Sequence, residues 1–181
     1  MTHTRILLSL IGTLVLLSAA SAQAKFDACS LITRAEIEAV QGDPVTDTKS
    51  SAPDQPVLAV AQYFYAVAPF SKSVSLEVTR GDPKKPTEPG PRDQWERLFH
   101  PEVHKNNDEK ESSPPLVVKG VGDEAFWMGN AISGGLYILV LKNDAYFRIS
   151  IGGSEEVSVK IEKATTLARK AIPRLRGNPP T

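Results

Sequence analysis

An α+β fold, one antiparallel β-sheet with helices packed against it, is what this chain predicts, on three observations. Residues 57–68 and 72–80, and again 135–141 and 145–151, are apolar or alternating segments joined by short turns, the pattern of two antiparallel hairpins. Behind them runs a stripe of helical period, Val157, Ile161, Ala164, Ala168, Ala171 and Leu175, spaced by 4, 3, 4, 3 and 4. With 41% hydrophobic and 23% charged residues, the composition is that of a globular chain and excludes disordered and collagen-like ones.

The first 24 residues stand apart from this fold. Arg5 precedes an apolar run from Ile6 to Leu17, and small residues then lead to Ala22-Gln23-Ala24. That order is a secretory signal peptide, and it predicts cleavage after Ala24, a periplasmic or secreted location, and one mature α+β domain over residues 25–181. The run falls short of the roughly 20 apolar residues of a spanning helix, and no stop-transfer pattern follows it. An uncleaved anchor is the alternative, and no transmembrane segment is expected after cleavage. Cys29 follows Lys25-Phe26-Asp27-Ala28 rather than a Leu-small-small stretch, which argues against a lipid anchor.

The whole chain balances 21 basic against 21 acidic residues, and the leader carries away Arg5 and no acid, leaving a net charge of −1. Without a basic field or a polybasic run, nucleic acid is not an expected partner. An envelope protein or a small ligand is.

Along the mature chain, Thr33-Arg34-Ala35-Glu36 is a capping box, Ile32 and Ile37 form a hydrophobic staple, and Gly42 closes a helix over residues 34–41. Residues 45–49 read as a short edge strand before a Ser/Pro-rich turn at 50–56. Residues 57–68 are apolar on both parities, as in a strand covered on both faces for most of its length. Residues 72–80 alternate, with Val74, Leu76 and Val78 on a core face and Ser73, Ser75, Glu77 and Thr79 on a wet one.

Four prolines between Gly81 and Pro91 make a loop, and Trp95, Leu98 and Phe99 give residues 92–99 one apolar helical face. Residues 106–115 are polar and loop-like. Gly120-Val121-Gly122-Asp123 turns the chain into a strand over 124–128, and residues 130–135 form a turn. Lys142-Asn143-Asp144 joins the second hairpin, whose last strand alternates Ala145, Phe147, Ile149 and Ile151 against Tyr146, Arg148 and Ser150. Ser154 is read as the cap of the final helix, with Glu155 and Glu156 in its first turn, Lys160, Lys163, Lys170 and Arg174 off its apolar stripe, and Pro173 and Gly177 ending it. Each half of the chain thus holds antiparallel strands followed by a helix able to cover them.

The segments Asp27-Ala28-Cys29-Ser30-Leu31-Ile32-Thr33-Arg34-Ala35-Glu36-Ile37 and Gly120-Val121-Gly122-Asp123-Glu124-Ala125-Phe126-Trp127 carry a resemblance. Together with the aromatic strand at 62–65 and the hairpin before the last helix, they resemble small secreted or lipid-anchored bacterial domains of unknown function. Those domains begin A-C-S-L-L-T-x-A-E and later carry G-V-G-D-x-A-x-W. The resemblance implies a PsbP-like α+β sandwich in the cell envelope, with no established activity and no functional residue to transfer. Where such domains place a partner cysteine after a Gln in the second strand, this chain has Tyr63, so the disulfide that the family implies is missing. Cys29, the single cysteine, is left as an inert thiol or as half of an intermolecular disulfide.

Few side chains invite chemistry. His100-Pro101-Glu102-Val103-His104 offers two imidazoles and a carboxylate, the ligand types of a metal-assisted hydrolase. Pro101 keeps the histidines off one helix face, however, and no distant third ligand is evident, so surface histidines are the competing reading. Gly152-Gly153-Ser154 could seat an anion, although Glu155 and Glu156 would repel it, and a tight turn explains it as well. Asp123 and Glu124 point to opposite faces of a strand and make a poor acid/base pair. No nucleophile elbow or dinucleotide fingerprint is present, and no catalytic residue or cofactor is expected.

The aromatic residues Tyr63, Tyr65, Trp95, Phe99, Phe126, Trp127 and Tyr146 come from several elements and are either core or the lining of a ligand groove between sheet and helix. The strongest candidates for such a groove are Tyr63, Tyr65, Trp95, Phe99 and Trp127. The sequence therefore favours a non-catalytic binding or interaction module, with a hydrolase on His100, Glu102 and His104 as the alternative.

Overall fold

A computed structural model describes residues 28–51, 58–81, 89–100 and 114–177. The expected signal peptide, residues 52–56 of the Ser/Pro-rich turn, most of the proline loop, and Glu102 and His104 lie outside the described residues, whereas Ser50 and Ser51, read as part of that turn, extend the edge strand.

Seven strands form one sheet: β1 (Val45–Ser51), β2 (Leu58–Val67), β3 (Val74–Gly81), β4 (Leu116–Val117), β5 (Glu124–Gly129), β6 (Gly134–Val140) and β7 (Ala145–Ile151). Their order is β1-β2-β3-β7-β6-β5-β4, and every described pairing is antiparallel. The two hairpins meet at the centre, where Leu76 pairs with Ile149 and Val78 with Phe147. Three helices pack on the sheet: α1 (Arg34–Gln41), α2 (Pro91–Phe99) and α3 (Val157–Gly177). This is the expected α+β architecture. Among the described residues no helix is long and apolar enough to cross a membrane.

Strand alternation sorts the side chains onto two faces. On the inner face Leu76, Val78, Leu136, Ile138, Phe147 and Ile149 are fully buried beneath Ala164, Leu167, Ala168 and Leu175 of α3. α1 joins this layer through Ile37, and its capping box forms as read, with Thr33 Oγ1 accepting from the Glu36 amide and Glu36 Oε2 from the Thr33 amide. On the outer face, Trp95 and Phe99 of α2 pack with Leu139 and Tyr146. α2 opens with Pro91 in its first turn, and Asp93 accepts from the Gly90 amide at 2.8 Å.

The two long segments of like pattern thus diverge: α2 and α3 lie on opposite faces rather than covering equivalent positions. Length decides what α2 can cover. Nine residues make a helix of about 14 Å, whereas seven strands span about 29 Å. It reaches β3, β7, β6 and β5, through Tyr146 (Oη to Gln94 Oε1, 2.8 Å), Tyr137 and Phe126, and leaves the outer face of β1 and β2 bare.

Four expectations are corrected. β2 is not covered on both faces: Tyr65 and Val67 are buried, but Val60 and Phe64 are half-buried and Gln62 is exposed, because α2 is too short. Ser154 does not cap α3, which begins at Val157 and whose Glu156 carbonyl accepts from the Lys160 amide; Glu155 is drawn away to Lys163, 2.7 Å off. Lys160 is buried at 2% exposure, its ammonium hydrogen-bonded to the carbonyls of Ala131 and Gly153. Pro173 lies within α3 instead of ending it, at an exposed position near the C-terminal turn. The two-residue β4, which edges β5, has no counterpart in the sequence reading, since two residues carry no periodicity.

Candidate functional site

The aromatic candidates divide between the two faces. Trp95 and Phe99 belong to the outer cluster with Phe126 and Tyr146, where the Phe99 and Phe126 rings stack at 4.7 Å. Tyr65 and Trp127 belong to the inner core, both about 1% exposed, and Tyr63 packs against it with its ring 4.9 Å from that of Tyr65. Tyr65 donates its hydroxyl hydrogen to the Ile32 carbonyl, and the Trp127 indole donates to the Gly129 carbonyl. The structure does not bring these seven rings to one surface.

His100 sits at the C-terminal end of α2, half-buried, with Nε2 3.0 Å from Glu124 Oε2. The same carboxylate oxygen accepts from the buried Trp95 indole at 2.7 Å, and the two contacts, His100 first, hold the Glu124 carboxyl below its ordinary pKa. Asp123, its neighbour, accepts from the Leu141 amide on the other side of the strand, so the two carboxylates are occupied separately. Among the described residues no three His, Cys, Asp or Glu side chains gather in a set able to hold a metal. Gly152 and Gly153 form a tight connection whose carbonyls accept from Gln41 and Lys160, which turns acceptors rather than donors toward the neighbouring side chains.

One open space among the described residues lies on the part of the outer face that α2 leaves bare. A groove of about 290 Å³ crosses β1, β2, β3 and β7 there, with Gln62, Phe64, Ser75 and Glu77 on its floor, Lys49 toward one wall and Arg148 at the other. Register explains the assembly. Gln62 pairs with Glu77 and Glu77 with Arg148, so three polar side chains stand in one row across three strands, with Phe64 and Ser75 in the next. Gln62 Nε2 donates to Glu77 Oε2 at 2.7 Å.

Arg148 is the outlier of the row. Half-buried, it makes no hydrogen bond or ion pair among the described residues, and its Nε is sealed from solvent without an acceptor, as is Ser150 Oγ beside it. Its stem lies flat on Gly135, where a Cβ would come within 2.7 Å of Nε, and its guanidinium rests 5.5 Å from the centre of the Tyr137 ring. Burial raises the Tyr137 pKa, with Arg148 opposing the shift. Burying a cation in part without a partner anion is unfavourable unless something else supplies one.

Of the groove's lining the sequence singled out Tyr63 alone among its ligand candidates; beyond that it offered the wet-face assignment of Ser75, Glu77, Arg148 and Ser150. That alternation was the available signal. The strand order that sets β3 beside β7 was not. Comparison of the chain with family models, with curated proteins and with solved structures finds no match.

Proposed function

We propose that this chain is an exported, non-catalytic binding module of the cell envelope that holds a small ligand in the groove beside α2. The observation that carries the reading is the unpaired, half-buried guanidinium of Arg148 at the wall of that groove. A charge held in place by a glycine bed and an aromatic ring, and closed on no carboxylate, is preorganised for an incoming anion. The groove has the hydroxyls and amide of a polar site, and its one carboxylate, Glu77, is occupied in part by Gln62. Export is supported by the leader pattern of residues 1–24 and by the likeness of the segments around Cys29 and Gly122 to exported bacterial domains.

The test is native mass spectrometry on protein purified from its own host's envelope without chelators. The expected result is a chain starting at Lys25 with a mass excess of a small organic molecule, lost in Arg148→Met. A bare mass for the wild-type protein, or an excess that Arg148→Met retains, overturns the binding reading; a chain recovered with residues 1–24 intact overturns cleavage after Ala24, and absence of the chain from the envelope fraction overturns export.

A further inference from the structure

The charge pattern of the groove specifies what it would hold; the inference rests on the groove being the binding site. Glu77 and Arg148 are register partners on adjacent strands, with Cα atoms about 5 Å apart. Opposite charges so placed ordinarily close on one another. Here they do not: Gln62 holds Glu77 toward β2, while Gly135 and Tyr137 seat Arg148 toward β6. The space between a turned-aside anion and a turned-aside cation is the groove. At its β2 end Phe64 is half-buried and meets the ring of Phe70 at 5.6 Å, and Phe70 is 72% exposed on the hairpin beyond.

We propose that the groove takes a small zwitterion of the amino-acid class with an apolar side chain. Its carboxylate meets the guanidinium nitrogens of Arg148, whose planar fork matches two carboxylate oxygens. Its ammonium meets Glu77 Oε1, the oxygen that Gln62 leaves open. Carboxylate and ammonium on one carbon suit charges presented from neighbouring strands. The side chain then lies toward Phe64, one strand and two residues from Glu77, a Cα separation of roughly 8 Å. Ser75, between Phe64 and Ser150 in the register, offers a hydroxyl at mid-groove.

Three probes separate the charges: L-phenylalanine, N-acetyl-L-phenylalanine without the ammonium, and phenethylamine without the carboxylate. Each is titrated into the purified protein by calorimetry, with the backbone amides of Gln62, Phe64, Ser75 and Arg148 followed by NMR. Phenylalanine is expected to bind and move those amides, and each single-charge probe to bind at least tenfold more weakly. Arg148→Met and Glu77→Gln should each weaken phenylalanine by tenfold or more, and Arg148→Lys, which keeps the charge without the fork, should recover part of the loss. Equal binding of N-acetyl-L-phenylalanine or of phenethylamine overturns the zwitterion and leaves the groove standing. Silence of all three probes also overturns it; the groove falls too if host-purified wild-type protein shows a bare mass or if Arg148→Met keeps the mass excess.

Discussion

Arg174 near the end of α3 forks onto Glu36 in the first turn of α1, Nη1 2.6 Å from Oε2 and Nη2 2.7 Å from Oε1. The same guanidinium donates to the Leu31 carbonyl at 2.8 Å, so one side chain ties the start of the described chain to its last helix. Hydrogen bonding to Arg174 is the main reason the Glu36 carboxyl is pulled from 4.5 down to about 2.

Because that folded value lies below the ordinary one, the pair stabilises the fold above pH 4.5, and the contribution is lost as pH falls toward 2. Arg174 is 38% exposed and solvent screens the pair, so Glu36→Gln is expected to destabilise by about 1–2 kcal/mol at pH 7. The gap from wild type should close by pH 2. Urea unfolding at pH 7, 4 and 2.5 measures it, and a gap that stays constant would refute the linkage.

Two glycines test how much of a turn's requirement is backbone and how much is space. Gly42 ends α1 at φ +75° with nothing within 4 Å of where a Cβ would stand. Gly122 has a similar φ, +65°, but a Cβ there would meet Ile138 Cγ2 and the Leu139 carbonyl oxygen. Gly42→Ala should therefore cost only the left-handed penalty, about 1–2 kcal/mol. Gly122→Ala adds a steric conflict with the sheet itself and should cost at least about 1 kcal/mol more. Equal midpoints for the two variants in chemical denaturation would count against the close approach at Gly122.

How far the sequence reached follows from the range of each interaction. α1 was legible to the residue because its signals, Thr33, Glu36 and Gly42, act within one turn of their targets. The inner face was legible because alternation at Val74, Leu76 and Val78 is a local property of a strand. The groove was not, since it exists only where Gln62, Glu77 and Arg148 are brought side by side by pairings between segments as much as 86 residues apart, from Gln62 to Arg148. The split of the aromatic residues has the same origin: Trp95 and Trp127 are equally apolar in sequence, and only the opposite placements of α2 and α3 assign them to different faces. Lys160 was misplaced because a helical stripe predicts which side chains face the core, not which charged one finds carbonyls there.

Lys160 holds the β5–β6 turn against the start of α3, its ammonium 2.5 Å from the Ala131 carbonyl and 2.7 Å from that of Gly153. Lys160→Met keeps the length of the stem and removes the donors, leaving both carbonyls to find water. A loss of about 1–3 kcal/mol is expected, the range for unsatisfied partners of a charged hydrogen bond. Amide exchange should quicken first at Ser133 and Ile132, whose N–H groups bond to the Asn130 side chain in that turn. If stability and exchange both match wild type, the lysine is a spectator.

The contact of Glu124 with Trp95 and His100 makes α2 sensitive to acid. The Glu124 pKa is lowered first by His100 and then by Trp95, so the carboxylate's contribution to docking α2 is complete above the ordinary carboxylate range and is lost as pH falls through the lowered value. His100→Ala removes the larger cause and should move that acid transition upward in pH, without unseating Trp95 at pH 7, because the indole keeps its bond to Glu124. The readout is Trp95 emission against pH in a Trp127→Phe background. A downward or absent shift in His100→Ala would show that the imidazole does not hold the carboxylate, leaving the Trp95–Glu124 bond and the packing of Trp95 and Phe99 against Leu139 and Tyr146 to keep α2 on the sheet.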